Sequence, residues 1–258
     1  MNLSNHSETY TLVTGASSGI GKEIARELAK RGHHLVLTAR SEEKLQELAA
    51  EWNTLYKIHV HIVSLDLTEK NAAESIYMWC KQRNITIDAI INNAGAGLFG
   101  EFHTLNLDDQ LNIIALNINS LVGITHYFIP DLEQLEKGYI LNVASIAALY
   151  PLPYYSVYGA TKAFVLSFSE ALRHELRHSN ITVSCLCPGD TNTDFFRNAR
   201  NTNIKKSLMP PEQVAKAAVD ALYRNTPVVF PGNMKLISMI PRLLLKKIIS
   251  RRVSKYNL

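Results

Sequence analysis

The sequence has little cysteine, no long uninterrupted apolar run, and no acidic residue in its last 38 positions. Three cysteines, Cys80, Cys185 and Cys187, make neither an even disulfide framework nor a zinc site, because Cys185-x-Cys187 has no second pair or His cluster to complete four ligands. They read as reduced, structural thiols. No segment reaches the roughly 18 uncharged apolar residues of a membrane span, and the first ten residues lack the basic-then-apolar order of a secretory signal. A cytoplasmic protein is expected. The histidines, His103 and His126 among them, fall without ligand spacing, so no metal is expected.

What is present is a chain of 258 residues, 47% apolar and 19% charged, long enough for one large core. The formal net charge is +4, yet residues 1–220 carry 19 Lys/Arg against 23 Asp/Glu, while residues 221–258 carry 8 Lys/Arg and no acid. The excess lies entirely in the tail, which argues against nucleic-acid binding and leaves a local anion or membrane contact to the C-terminus.

From Tyr10 onward, short β-rich runs alternate with helical patterns, which predicts βαβ units around a parallel sheet. Strands are expected at 10–13, 34–38, 59–64, 87–91, 138–143, 181–187 and 228–230. Helices are expected at 20–31, from the Ser41 cap onward, and at 69–83, 107–129, 156–178 and 211–223, the fourth stopped by Pro130. No repeat or linker divides the series. The expectation is one α/β domain over 1–232, a doubly wound parallel sheet of about seven strands with helices on both faces, followed by a tail at 233–258.

The first βα turn reads Thr14-Gly15-Ala16-Ser17-Ser18-Gly19-Ile20-Gly21. Glycines there let the backbone turn sharply and let a diphosphate approach helix-end N–H groups without meeting a Cβ. The spacing is G-x-x-x-G-x-G, not the tighter G-x-G-x-x-G, and in this form it resembles the single-domain short-chain dehydrogenase/reductase family. The resemblance implies a Rossmann-like fold and a nicotinamide cofactor on Gly15, Ser17, Ser18, Gly19, Ile20 and Gly21.

The second strand ends Leu37-Thr38-Ala39-Arg40, with no acid to bind the adenosine ribose hydroxyls. Arg40 can pair a 2′-phosphate bidentately, so NADP(H) is expected over NAD(H), the alternative being a solvated Arg beside Glu42 and Glu43. Asp66, followed by Leu67, matches the family's adenine-contacting position, and equally reads as a helix cap. Asn92-Asn93-Ala94-Gly95 matches the family's NNAG segment, where small residues let the backbone lie against the cofactor and Asn side chains tie strands together. Pro188-Gly189 with Thr191 and Thr193 resembles the family's carboxamide-contacting segment.

Tyr158 and Lys162 stand one helical turn apart, and a cation near a phenol favours the phenolate. Ser145, at the end of the fifth strand, faces the crevice of an open parallel sheet. The resemblance makes Ser145, Tyr158 and Lys162 catalytic. It adds Asn117, preferred over Asn119 by register, as the residue that bends the long helix and holds a water. Lys162 would lower the tyrosine pKa and bind the nicotinamide ribose. The implied reaction is NADP(H)-dependent reduction of a ketone or aldehyde to an alcohol with Tyr158 as general acid/base. The competing class is a non-catalytic NAD(P)-binding sensor or scaffold, whose relatives typically lose the Tyr or Lys.

The substrate walls should come from 96–102, 147–155 and 190–209. Leu149, Tyr150, Leu152, Tyr154 and Tyr155 favour a hydrophobic or acyl-type carbonyl. From Pro241, Leu244, Leu245, Ile248 and Ile249 share a helical face opposite Arg242, Lys246, Lys247 and Arg251. Arg252 falls in the apolar stripe, so a packed or lid helix is preferred over peripheral contact with anionic lipid. The family commonly forms homodimers or homotetramers through the helices matching 107–129 and 156–178.

Overall fold

The computed structural model describes residues 8–199 and 208–232; the expected tail helix from Pro241 lies outside the described residues. Seven strands, β1 (Thr9–Thr14), β2 (His34–Ala39), β3 (Val60–Ser64), β4 (Thr86–Asn92), β5 (Gly138–Val143), β6 (Ile181–Leu186) and β7 (Val228–Val229), form one sheet in the order β3-β2-β1-β4-β5-β6-β7. Every pairing is parallel. The winding reverses between β1 and β4, which opens a crevice at the carboxyl ends of those strands.

The central strands are apolar on both faces because helices cover both. Val13, Leu35, Leu37, Ile91 and Leu141 pack with Ile24 and Leu28 of α1 (Gly19–Lys30), Leu45 and Trp52 of α2 (Glu42–Tyr56), and Val214 and Leu222 of α8 (Pro211–Tyr223). Their neighbours Leu12, Val36, Ile90 and Ile140 point the other way. They meet Ile76 and Cys80 of α3 (Ala72–Gln82), Ile124, Phe128 and Leu132 of α5 (Ser120–Leu132), and Leu172 of α6 (Ser156–Glu175). Each fully buried Leu, Ile or Phe contributes about 1.5–3 kcal/mol. On the first face Arg31 ties α1 to α8 through Glu27 at 2.7 Å and Asp220 at 2.6 Å.

The long helix departs from expectation at both its middle and its end. It runs as α4 (Leu107–Ile114), a π-helical turn at Ala115–Asn119, and then α5. Pro130 sits inside the last turn of α5 and does not stop it. A proline forfeits one intrahelical bond but keeps a helical φ, and here Glu133 N still donates to Ile129 O at 3.0 Å while Leu132 is fully buried. The stretch 107–132 is long and apolar enough to cross a membrane by length and composition, yet its Ile124, Phe128 and Leu132 are committed to the core. β3 begins at Val60 because the His59 amide donates to the His34 Nδ1 at 2.8 Å instead of joining the ladder. Ser41 occupies the α2 cap position without a side-chain cap bond.

Candidate active site

The glycine turn is held from below by β4. The Thr14 hydroxyl donates to Ile91 O at 3.2 Å and accepts from Asn93 N and Ala94 N, both at 2.9 Å. Asn93 Nδ2 donates to Thr14 O at 2.9 Å. Gly15 has φ +65°, and a Cβ on it would stand 2.9 Å from Ala94 Cα; a Cβ on Gly21 would collide with Asn93 Nδ2 and Gly15 O. Thus Gly21 is demanded by packing against Asn93, and the Asn93 side chain is spent on building the turn. Asn92 ties β4 to its neighbours in the same way, its Nδ2 donating to Asn142 Oδ1 at 2.9 Å and Thr125 Oγ1 at 3.0 Å.

Ser18 is the cap residue of α1, but its side chain makes no cap bond, so the helix-end amides point at the crevice without a side-chain acceptor. Gly19 has φ +56°, and a Cβ on it would lie 3.3 Å from Thr193 Cγ2, which places Thr193 directly over the turn. Ala16 N donates to Thr38 O at 3.2 Å, fixing the turn to β2. Beyond β2, Arg40 is 80% exposed, with its guanidinium 4.0 Å from the Asp66 carboxylate. Asp66 Oδ1 accepts from Thr68 N at 2.9 Å and Thr68 Oγ1 at 2.8 Å, and these bonds hold its pKa below the usual carboxylate value. The helix-cap reading of Asp66 does not hold, because α3 begins at Ala72 with Asn71 in the cap position; Asp66 instead closes the turn before it, with Oδ2 4.0 Å from the Arg40 guanidinium. Ile20 packs against the first core cluster and Leu67 is buried in the second, so toward a ligand they can offer only backbone.

The catalytic candidates converge on the other side of the crevice. Ser145 Oγ accepts from Ala147 N at 3.1 Å, and its side chain favours the ionised form of Tyr158 against the burial that opposes it. Lys162 is buried, with Nζ donating to Val143 O at 2.8 Å. A Cβ on Gly95 would stand 3.2 Å from both Lys162 Nζ and Asn117 Oδ1, so any side chain there would press on the pair. Burial lowers the Lys162 pKa to about 8 and raises that of Tyr158 well above its ordinary 10. Burial thus opposes the charged form of both groups.

Asn117 lies in the π turn and is buried, whereas Asn119 is exposed. Its Nδ2 donates to Ala96 O and to Thr161 Oγ1, and its Oδ1 accepts from Ala96 N, all at 2.9 Å. The Thr161 hydroxyl donates in turn to Tyr158 O at 2.8 Å. Thr161 went unrecognised in the sequence: it lies 44 residues from Asn117, and no local pattern marks the pairing. Pro188 O accepts from Ile146 N at 3.0 Å, and Thr191 Oγ1 donates to Gly189 O at 2.9 Å, which sets this segment along the Ser145 side.

One histidine cluster escaped the sequence reading. Glu8, His34 and His59 gather at the opposite, amino end of the strands, with His59 Nδ1 2.9 Å from Glu8 Oε2. The His34 and His59 rings stack at 4.9 Å, and His34 Nδ1 accepts the His59 amide proton. All three cysteines are free and buried, and burial pushes the Cys80 thiol up to about 12.

This geometry has counterparts. Residues 9–204 match the profile of the short chain dehydrogenase family. Sulfoacetaldehyde reductase 2 of Chromohalobacter salexigens is 35% identical over 217 residues, 83% of this chain and 81% of that protein. Human 17-beta-hydroxysteroid dehydrogenase type 3 is 37% identical over 198 residues, 76% of this chain and 63% of that protein. Among solved structures, a short-chain dehydrogenase from Sphingobium yanoikuyae in complex with NADPH superposes with a TM-score of 0.82 at 30% identity, covering 97% of this chain and 96% of that one. With the glycine turn, the NNAG segment and the Ser-Tyr-Lys cluster gathered at one switch point of a seven-stranded parallel sheet, the chain belongs to the short-chain dehydrogenase family of oxidoreductases.

Proposed function

We propose that the protein reduces a hydrophobic ketone or aldehyde to an alcohol with NADP(H) as its cofactor. The observation that carries this reading is buried Lys162, its Nζ on Val143 O at the end of β5 and 5.9 Å from the Tyr158 ring, next to Ser145 and at the same crevice as the glycine turn. The residues fit a dinucleotide. Gly15 and Gly19 present no Cβ, the α1 amides point outward, and Arg40 stands exposed where an adenosine 2′-phosphate would lie.

The dinucleotide would lie along Gly15 to Gly21, Ala94, Gly95 and the segment from Pro188 to Thr193, with Arg40 pairing the phosphate. When bound, NADPH supplies the hydride. Ser145 positions the substrate oxygen, and Tyr158, protonated across the neutral range, gives it a proton. Lys162 holds the nicotinamide ribose, and its ammonium stabilises the tyrosine oxygen as the proton leaves. Asn117 holds the helix at Ala96 and Thr161, keeping the α6 residues in place.

NADPH oxidation is followed over a panel of ketones and aldehydes. Tyr158→Phe should lower turnover by about 10²–10⁴ while leaving NADPH binding intact. Turnover unaltered by that change would defeat the mechanism.

A further inference from the structure

Tyr158 is flanked by rings. Phe195, the first residue of α7 (Phe195–Asn198), packs on it with centroids 5.1 Å apart and planes inclined at 48°. Its seat is Gly97, where an added Cβ would stand 2.7 Å from Phe195 Cζ and 3.2 Å from Tyr158 Cδ2. Toward the other side Tyr155 meets Tyr158 at 5.7 Å, and Phe99 meets Tyr155 at 5.2 Å and Tyr154 at 5.8 Å.

The cap is anchored at several points. Phe99 N donates to Ala199 O at 2.9 Å, clipping the end of α7 to the segment after β4. At the root of the same excursion, Asn192 N donates to Met209 O at 2.9 Å and Met209 N to Asp190 O at 3.0 Å. Thr193 Oγ1 accepts from Phe195 N at 3.3 Å, fixing the start of the short helix. Phe195 is thus held where it is by bonds at three places, and it can descend onto Tyr158 only because residue 97 has no side chain.

We propose that Gly97 and Phe195 act as a matched seat and cap that determine which carbonyls reach Tyr158. The preferred substrates are unsymmetrical apolar ketones, with one small arm beneath Phe195 and one large, flat arm along the Tyr155–Phe99–Tyr154 wall. Phe195 is a specificity-determining residue and Gly97 acts through it. The inference rests on the carbonyl-reductase reading above and deepens it.

The test is an aryl ketone series, acetophenone, butyrophenone and benzophenone, in which one arm stays phenyl while the other grows. Wild type, Phe195→Ala, Gly97→Ala and the double variant are compared by kcat/KM with NADPH, and NADPH affinity is measured alongside as a check on the fold. Wild type should favour acetophenone over benzophenone, and Phe195→Ala should shrink that preference on the order of tenfold or more, the scale at which pockets discriminate apolar groups. Gly97→Ala should alter the preference by displacing the Phe195 ring, and should add nothing in the Phe195→Ala background. An unchanged preference in Phe195→Ala, or an equal effect of Gly97→Ala in both backgrounds, overturns the cap while leaving carbonyl reduction standing. If wild type reduces no carbonyl on any panel, both readings fall.

Discussion

Removing the buried amine by Lys162→Met should stabilise the protein at neutral pH while destroying its activity. The folded state holds the lysine near pKa 8 against an ordinary 10.5, a difference worth about 3 kcal/mol at roughly 1.4 kcal/mol per unit. Below pH 8 both folded and unfolded chains carry the proton, and the whole cost of burying the charge applies. As pH rises from 8 to 10.5 the unfolded chain still binds the proton and the folded one does not, so native stability increases. Methionine keeps an apolar stem of similar length but loses the bond to Val143 O, about 1–2 kcal/mol. The net gain at neutral pH is about 1–2 kcal/mol, reversing to a loss of about 1 kcal/mol once the wild-type lysine is neutral. Urea unfolding of both proteins across this range measures the difference, and the titrating groups that do not interact with Lys162 cancel in the subtraction; Cys185 and Cys187 do interact with it. A difference that is flat with pH, or a variant less stable at neutral pH, would refute the reasoning.

Arg40→Ala should raise KM for NADPH about tenfold or more with little change for NADH, since one charge-assisted contact is worth about 1.5–3 kcal/mol; equal effects on the two cofactors would count against a 2′-phosphate site. Gly21→Ala should cost about 1–3 kcal/mol by forcing Asn93 off the turn, read as a lower urea midpoint together with weaker dinucleotide binding. Asn117→Ala leaves the Ala96 amide and carbonyl without their side-chain partner, so a loss of about 2 kcal/mol or more is expected; an unchanged unfolding midpoint would contradict this.

The fold was legible because its strands carry their signal locally. Leu35-Val36-Leu37 is apolar at every position, as a strand covered on both faces must be, and the structure divides those three side chains between two core clusters. Ser145, Tyr158 and Lys162 were readable for a different reason: the resemblance supplies the spacing, and the parallel sheet brings the strand end to the helix. What escaped were the features that only tertiary structure creates. Pro130 obeys a local rule that the buried Leu132 overrides. Thr161 and Gly97 take their meaning from Asn117 and Phe195, which are distant in the chain. Burial, which shifts an ammonium down and a phenol up, acts on Lys162 and Tyr158 alongside the expected effect of one on the other, and no local pattern records it.

The placement of Arg40 has an evolutionary corollary. The turn, the NNAG segment and Lys162 are interlocked, so a change at any of them disturbs the others. The Arg40 side chain is 80% exposed, and its guanidinium lies 4.0 Å from Asp66. A substitution there carries little structural penalty, so if Arg40 pairs the 2′-phosphate as proposed, the choice between the phosphorylated and unphosphorylated nucleotide can drift or be redesigned independently of the Ser145, Tyr158 and Lys162 cluster. A lineage built on this scaffold could therefore change the redox pool it draws on in few mutational steps, while its chemistry stays fixed.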